Sequence, residues 1–331
     1  MIYWDPDPTL FTIPFLNWPI LWYGLFFALG FFIGFSLFEQ ILLRYFLLAY
    51  RNNLMNRDLC KSERVAIAER HGASEDQNFE VKPPPRKANF SSSLDGNLQG
   101  RLHFLKDLAL KVTDRITVYI VIATVVGARL GHFIFYERPS DYLKNPLEIL
   151  QIWKGGLASH GAAIAIILAV CFFSRWAKKF DSGLTWIRLL DFLCVPTALA
   201  GSFIRIGNFF NQEILGKATS LPWGVVFGHP VDGALSIPRH PVQLYEALFY
   251  FAVFLILWRL TFQRNYLLHQ GKLIGLFLIL VFGFRFLVEF LKLEQSYLVS
   301  FSPLTMGQWL SVPLVILGIV FITRPFQKFL R

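Results

Sequence analysis

Seven stretches of the chain are almost continuously apolar: roughly residues 18–43, 116–136, 156–174, 187–206, 242–258, 273–291 and 304–323. A helix needs about 20 predominantly apolar residues to cross a bilayer core. The runs are unbroken, whereas barrel strands alternate over about ten residues, which argues against a β-barrel. The pattern predicts an all-α polytopic membrane protein with about seven transmembrane helices. The third and fourth stretches are short or carry polar residues. Between them the chain is polar, and the longest polar stretch, 51–112, differs in composition from the rest. It holds three prolines at 83–85, three serines at 91–93, and Glu75, Asp76 and Asn78. Lys61 to Arg70 reads as a short helix and the remainder as a flexible cytoplasmic insertion. The expected organisation is therefore an N-terminal segment with the first span (1–50), the insertion (51–112) and the remaining membrane core (113–331).

Composition sharpens this picture. The 331 residues are 54% apolar and 16% charged, against about a quarter charged in soluble domains. A soluble fold so composed would expose large apolar patches. The three cysteines, Cys60, Cys171 and Cys194, build neither a disulfide framework nor a zinc cluster. The N-terminus carries Asp5 and Asp7 and no basic run, unlike a signal peptide.

The net charge of +10 follows topology. Of 32 Lys and Arg, 23 lie in four segments: thirteen in 44–115, four in 175–188, three in 259–272 and three in 324–331. The positive-inside rule puts these segments on the cytoplasmic side, the N-terminus outside and the C-terminus inside. Seven spans satisfy that parity. No basic stripe with interleaved aromatics remains to suggest nucleic acid.

Ionisable groups inside spans are costly, so each is a functional candidate. The second stretch carries Arg129, and the third opens with His160. The fourth ends in Arg205, Asn208 and Glu213, the sixth carries Arg285 and Glu289, and the first carries Tyr23. Counted from the inner ends at about 1.5 Å per residue, Arg285 lies about 18 Å and Arg129 about 20 Å along. Both fall in the outer half of a core about 30 Å thick. His160, Arg205 and Tyr23 fall at similar height. Each has an ordinary structural explanation taken singly: a satisfied core histidine, a snorkelling arginine, an interface aromatic, or an Arg285–Glu289 ion pair four residues apart. Together they describe an anion site open to the outer leaflet, and the arginine fork suits a lipid phosphate. The turn-rich loop 207–241 contains a candidate short strand at 223–227. It ends in Arg239-His240-Pro241 before Glu246 and reads as a small outer domain over that cavity.

The run Arg205-Ile-Gly-Asn-Phe-Phe-Asn-Gln-Glu-Ile-Leu-Gly216 resembles the signature of the bacterial prolipoprotein diacylglyceryl transferases. Five further segments occur in that family's order: Trp22-Tyr23-Gly24, Gly127-Ala-Arg129-Leu-Gly131, Gly155 to Gly161 with His160, Arg239 to Glu246, and Arg285-Phe-Leu-Val-Glu289. Departures are Ile204, Ala162 and Ala165 at positions where the family usually or often has Gly, Val281 where members can have Tyr, and the long insertion. The resemblance implies an enzyme of the bacterial cytoplasmic membrane with its active site toward the outer leaflet. It implies transfer of the diacylglyceryl group of phosphatidylglycerol to the lipobox cysteine of a prolipoprotein, with release of glycerol phosphate. No cofactor or metal is implied. His160 would be the base for the thiol. Arg205 and Arg285 would hold the phosphate, and Glu213 and Glu289 would orient arginines or assist proton transfer. Asn208 and Gly216 would shape the headgroup contacts, and Tyr23 would reach the cavity. Arg129, Arg239 and Glu246 would support or gate. A transporter of anionic substrates is the competing reading, but no internal repeat supports it.

Overall fold

The computed structural model describes residues 1–15, 17–51, 90–136, 158–293 and 304–323. Lys61 to Arg70 and the proline run lie outside the described residues. Eight α-helices are described: α1 Trp22–Arg51, α2 Phe90–Tyr136, α3 Ser159–Ala177, α4 Trp186–Phe210, α5 Val242–Leu260, α6 Arg264–Leu268, α7 Lys272–Val288 and α8 Met306–Thr323. Five short strands accompany them: β1 Ile2–Trp4, β2 Thr9–Ile13, β3 Trp18–Leu21, β4 Val225–Phe227 and β5 Pro238–Arg239. All helices except α6 are long and apolar enough to cross a membrane, seven in all. Large apolar side chains stay exposed on their flanks, among them Phe32 at 76%, Ile134 at 70% and Leu248 at 70%. Only a lipid solvent makes such surfaces ordinary. The protein is a multi-pass membrane protein.

The chain divides into two compact units, Met1–Ile41 with Leu190–Arg331, and Leu42–Leu189. In the second unit α2 lies along α3. A Cβ on Gly131 would stand 2.6 Å from the Gly161 Cα, and one on Gly127 would strike the Ala165 methyl. The Gly127–Gly131 pair thus lets the two backbones touch, as small residues do in membranes. Helix α2 corrects one expectation. Residues 90–112 were expected to be flexible, yet the helix begins at Phe90. From Leu105 onward the reason is amphipathic spacing. Leu105, Leu108, Ala109, Val112 and Ile116 are all buried and fall on one helical face. Polar residues between them hide that stripe from a hydropathy window.

In the first unit, Gly30 of α1 meets Ala200 of α4, where a Cβ would stand 3.1 Å from the alanine methyl. Ser202 Oγ of α4 donates to the Ala247 carbonyl of α5 at 2.8 Å. Helix α7 is started by a residue far away in sequence. The buried Asp191 carboxylate of α4 accepts the backbone N–H groups of Gly271 at 2.6 Å and Ile274 at 2.8 Å. A carboxylate there satisfies donors that a helix start leaves open.

The first unit also carries the sheet. β4 pairs in parallel with β1, Ile2 opposite Val225 and Trp4 opposite Phe227, and antiparallel with β5. Its position matches the strand expected at 223–227. β2 and β3 form a hairpin that runs straight into α1. Trp4 lies over Phe209, with ring centroids 4.6 Å apart, and its Nε1 donates to the Phe209 carbonyl. Sheet and helix end therefore join at the end of α4, where the polar run begins.

Candidate active site

Helix α4 delivers Arg205 and Asn208 on one face, three residues apart. The helix ends at Phe210, and residues 211–216 turn back. Arg205 Nη1 donates to Asn208 Oδ1 at 3.1 Å. Asn208 Nδ2 donates to Glu213 Oε1 at 2.7 Å, and Asn211 Nδ2 adds a contact at 3.3 Å. Glu213 therefore acts on Arg205 through an amide rather than directly. Its own carbonyl accepts from Gln243 Nε2 of α5 at 2.8 Å.

The other side of Arg205 faces Glu246, near the start of α5. Arg205 Nε lies 3.1 Å from Glu246 Oε2, and the Glu246 side chain is fully buried. This is an ion-pair contact by distance without hydrogen-bond alignment, because Glu246 Oε2 has no donor aimed at it among the described residues. Glu246 Oε1 accepts from Lys292 Nζ at 3.0 Å and from the Tyr250 hydroxyl at 3.2 Å. Lys292 Nζ also lies 3.3 Å from Glu289 Oε2. The result is a buried chain running Arg205, Glu246, Lys292, Glu289. Buried charges require such partners.

Arg285 stands apart from this chain. It occupies the last turn of α7, half-buried, and is close enough to act electrostatically on Glu246 and Tyr250. The ion pair with Glu289 suggested by their four-residue spacing is not formed. Helix α7 ends at Val288, and Glu289 begins a tighter 3₁₀ turn. Glu289 nonetheless stays in the αR region and donates its N–H to the Arg285 carbonyl, so the backbone spacing is helical and it is the Glu289 side chain that turns away. Its carboxylate instead rests against the first turn of α8, where a Cβ on Gly307 would stand 2.5 to 2.8 Å from it. A helix N-terminus favours that charge. Among the described residues Arg285 has no carboxylate within ion-pair distance.

Gly216 is where three segments meet. Its backbone bridges Lys292, Lys217 N–H donates to the Leu291 carbonyl, and a Cβ would collide with the His240 carbonyl. This zipper is what carries Lys292 to Glu246. Arg239 is buried, and it donates to the carbonyls of Gly216 at 3.3 Å and Leu235 at 3.2 Å. It braces the loop. Tyr23 rests on Gly207, whose missing side chain admits it, within electrostatic reach of Arg205 and Glu213.

The first unit thus brings together Tyr23, Arg205, Asn208, Glu213, Gly216, Arg239, Glu246, Arg285 and Glu289. Arg129 and His160 belong to the second unit. There Arg129 is buried with its guanidinium 4.7 Å from the centroid of the Phe133 ring, and His160 is exposed in the first turn of α3. Sequence reasoning missed Lys292 and Tyr250. A lysine just beyond a span end reads as an interface anchor, although its three-residue spacing from Glu289 was available as a signal. Glu246, expected in a supporting role, is the hub of the buried chain.

A model described as prolipoprotein diacylglyceryl transferase matches residues 100–324. The chain belongs to the prolipoprotein diacylglyceryl transferase family. Curated relatives agree over nearly full length. A protein of Protochlamydia amoebophila is 37% identical, covering 98% of this chain and 94% of its own. One of Tolumonas auensis is 38% identical over 97% and 96%. One of Chloroherpeton thalassium is 34% identical over 99% and 95%. Each carries the name phosphatidylglycerol–prolipoprotein diacylglyceryl transferase. In this family member the signature run is the end of α4 and the turn after it, and the other motifs of the first unit converge on that turn.

Proposed function

We propose that the protein transfers the diacylglyceryl group of phosphatidylglycerol to the lipobox cysteine of a prolipoprotein, in the bacterial cytoplasmic membrane and from its outer leaflet. The sulfur–carbon bond forms as the bond from that carbon to the phosphate oxygen breaks. The thiol proton passes to a base, and glycerol phosphate leaves as an anion. The observation that carries this reading is Arg285, a cation without a carboxylate partner among the described residues, beside the Arg205–Glu246–Lys292 chain. An unpaired cation at membrane depth costs about 2.5–3.5 kcal/mol or more. A lipid phosphate removes that cost and gains fixed donors as its leaving charge grows. Arg205 is held from both sides, by Asn208 and Glu246, so its fork is set before substrate arrives. Family membership supports the acceptor and the donor. The outward orientation rests on the basic residues gathered in alternate loops.

His160 is assigned as the base that takes the thiol proton, since only the thiolate attacks carbon and an imidazole suits neutral pH. In membranes supplied with phosphatidylglycerol and a lipobox peptide, His160→Ala lowers turnover about a hundred-fold at equal protein abundance. Near-normal turnover would remove His160 from that role. The reaction class is tested by its second product. Glycerol phosphate appears in step with modified peptide and only when the peptide is present. Release or movement of a phosphorylated solute without peptide would favour transport instead.

A further inference from the structure

We propose that Asp5 and Gln212 are positioning residues of the transfer site, through which the N-terminal strand holds the turn that carries Glu213. The inference rests on the function proposed above and extends it to a segment before the first span.

Gln212 is 3% exposed and uses every polar atom it has. Its Nε2 donates to Asp5 Oδ1 at 3.0 Å, and its Oε1 accepts the His229 N–H at 2.8 Å. Its carbonyl accepts the Val231 N–H at 3.2 Å, and its N–H donates to the Phe209 carbonyl at 3.2 Å. One residue thereby ties the end of α4, the loop after β4 and the N-terminal strand. The backbone explains why such ties are needed. Gln212 has φ +52° and Ile214 has φ +59°, on either side of Glu213. Side-chain-bearing residues rarely adopt this region, at a cost of about 1–3 kcal/mol each, and hold it only where the surroundings over-determine it. Neither position is Gly or Asn, so the turn is not held by its own sequence.

The strand side is equally committed. The Gly228 N–H donates to the Trp4 carbonyl at 3.0 Å, and a Cβ on Gly228 would run into the Asp5 carboxyl. Asp5 Oδ1 also lies 2.7 Å from His229 Nδ1. The hydrogen bonds of His229 and then Gln212 hold the Asp5 carboxyl below the usual carboxylate range, so it is an acceptor at neutral pH. From this clasp the effect runs through the Glu213 carboxylate to Asn208 and from Asn208 to Arg205 Nη1. A displaced turn therefore misplaces the phosphate-binding fork, and catalysis is sensitive to such shifts.

The test is a reciprocal exchange in the full-length protein in membranes. Gln212→Glu sets two carboxylates against each other, and kcat falls about ten-fold or more while KM for phosphatidylglycerol stays within about two-fold. Asp5→Asn alone keeps an amide oxygen that accepts from Gln212 but loses the charge facing His229, so its kcat falls less than that of Gln212→Glu. Combined with Gln212→Glu, it supplies an amide donor to the new carboxylate and recovers most of the lost kcat. Parent-like kcat in Gln212→Glu, or no recovery in the double variant, overturns the proposal. If Gln212→Glu fails to accumulate, Asp5→Ala replaces it; an unchanged kcat there also overturns it. Amide exchange across residues 211–214 gives a readout independent of activity. It quickens in Gln212→Glu and slows again with Asp5→Asn, and unchanged exchange contradicts the positioning role. A parent that exchanges as described but transfers no diacylglyceryl group would sink the proposed function and leave the clasp standing.

Discussion

Glu246→Ala abolishes turnover and lowers stability together. Glu246 is the only carboxylate that touches both Arg205 and Lys292 among the described residues, and its side chain is fully buried. Removing it leaves two buried cations without their shared counter-charge. Breaking a buried pair in this way costs about 3–5 kcal/mol, much of it the desolvation of the ion left behind. The expected result is a loss of more than about a hundred-fold in activity, with reduced accumulation in membranes and a lower midpoint on heating the detergent-solubilised protein. Glu246→Gln keeps the volume and the Tyr250 contact but not the charge, so it remains strongly impaired. Glu289→Gln is milder, since Glu289 is 15% exposed and Lys292 retains Glu246. Equal effects of the Glu246 and Glu289 changes would contradict the hub position of Glu246.

Arg285→Ala separates activity from stability in the opposite sense. Arg285 has no ion-pair partner among the described residues, so its removal strands no other charge. The midpoint on heating stays at the parent value or rises, while turnover falls about 10²–10³-fold, as when a fixed donor to a developing anion is lost. Arg285→Lys recovers only a small part, because an ammonium supplies a point charge and no planar fork. Turnover near normal in Arg285→Ala, or a midpoint that drops as far as in Glu246→Ala, would show that Arg285 is structural.

The contrast between these two residues was only partly legible in the sequence. Hydropathy alone located all seven spans to within a few residues at most ends, because lipid demands long unbroken apolar runs. It failed for residues 90–112, where Leu105, Leu108, Ala109 and Val112 form a buried stripe diluted by charges. The signature from Arg205 to Gly216 was visible as residue types in order. Its pairings were not, because they depend on where helices end. The tight turn Glu289–Leu291 sets Lys292 3.3 Å from the Glu289 carboxylate, which serves Lys292 rather than Arg285. The N-terminal strand was invisible for a different reason. Its partner, β4, lies more than two hundred positions away, and no local periodicity encodes that pairing. The left-handed positions of the turn, Gln212 and Ile214, are neither glycine nor asparagine, so the residue types there do not announce them.

Mass spectrometry of a lipobox peptide gives the most direct test of the proposed reaction. The purified protein is incubated with phosphatidylglycerol and the peptide. The expected result is a diacylglyceryl increment on the cysteine, held as a thioether that resists mild alkaline thiol exchange, and absent when that cysteine is serine. A peptide recovered unmodified by the active, folded protein, or one modified elsewhere than the cysteine, would contradict the proposed transfer.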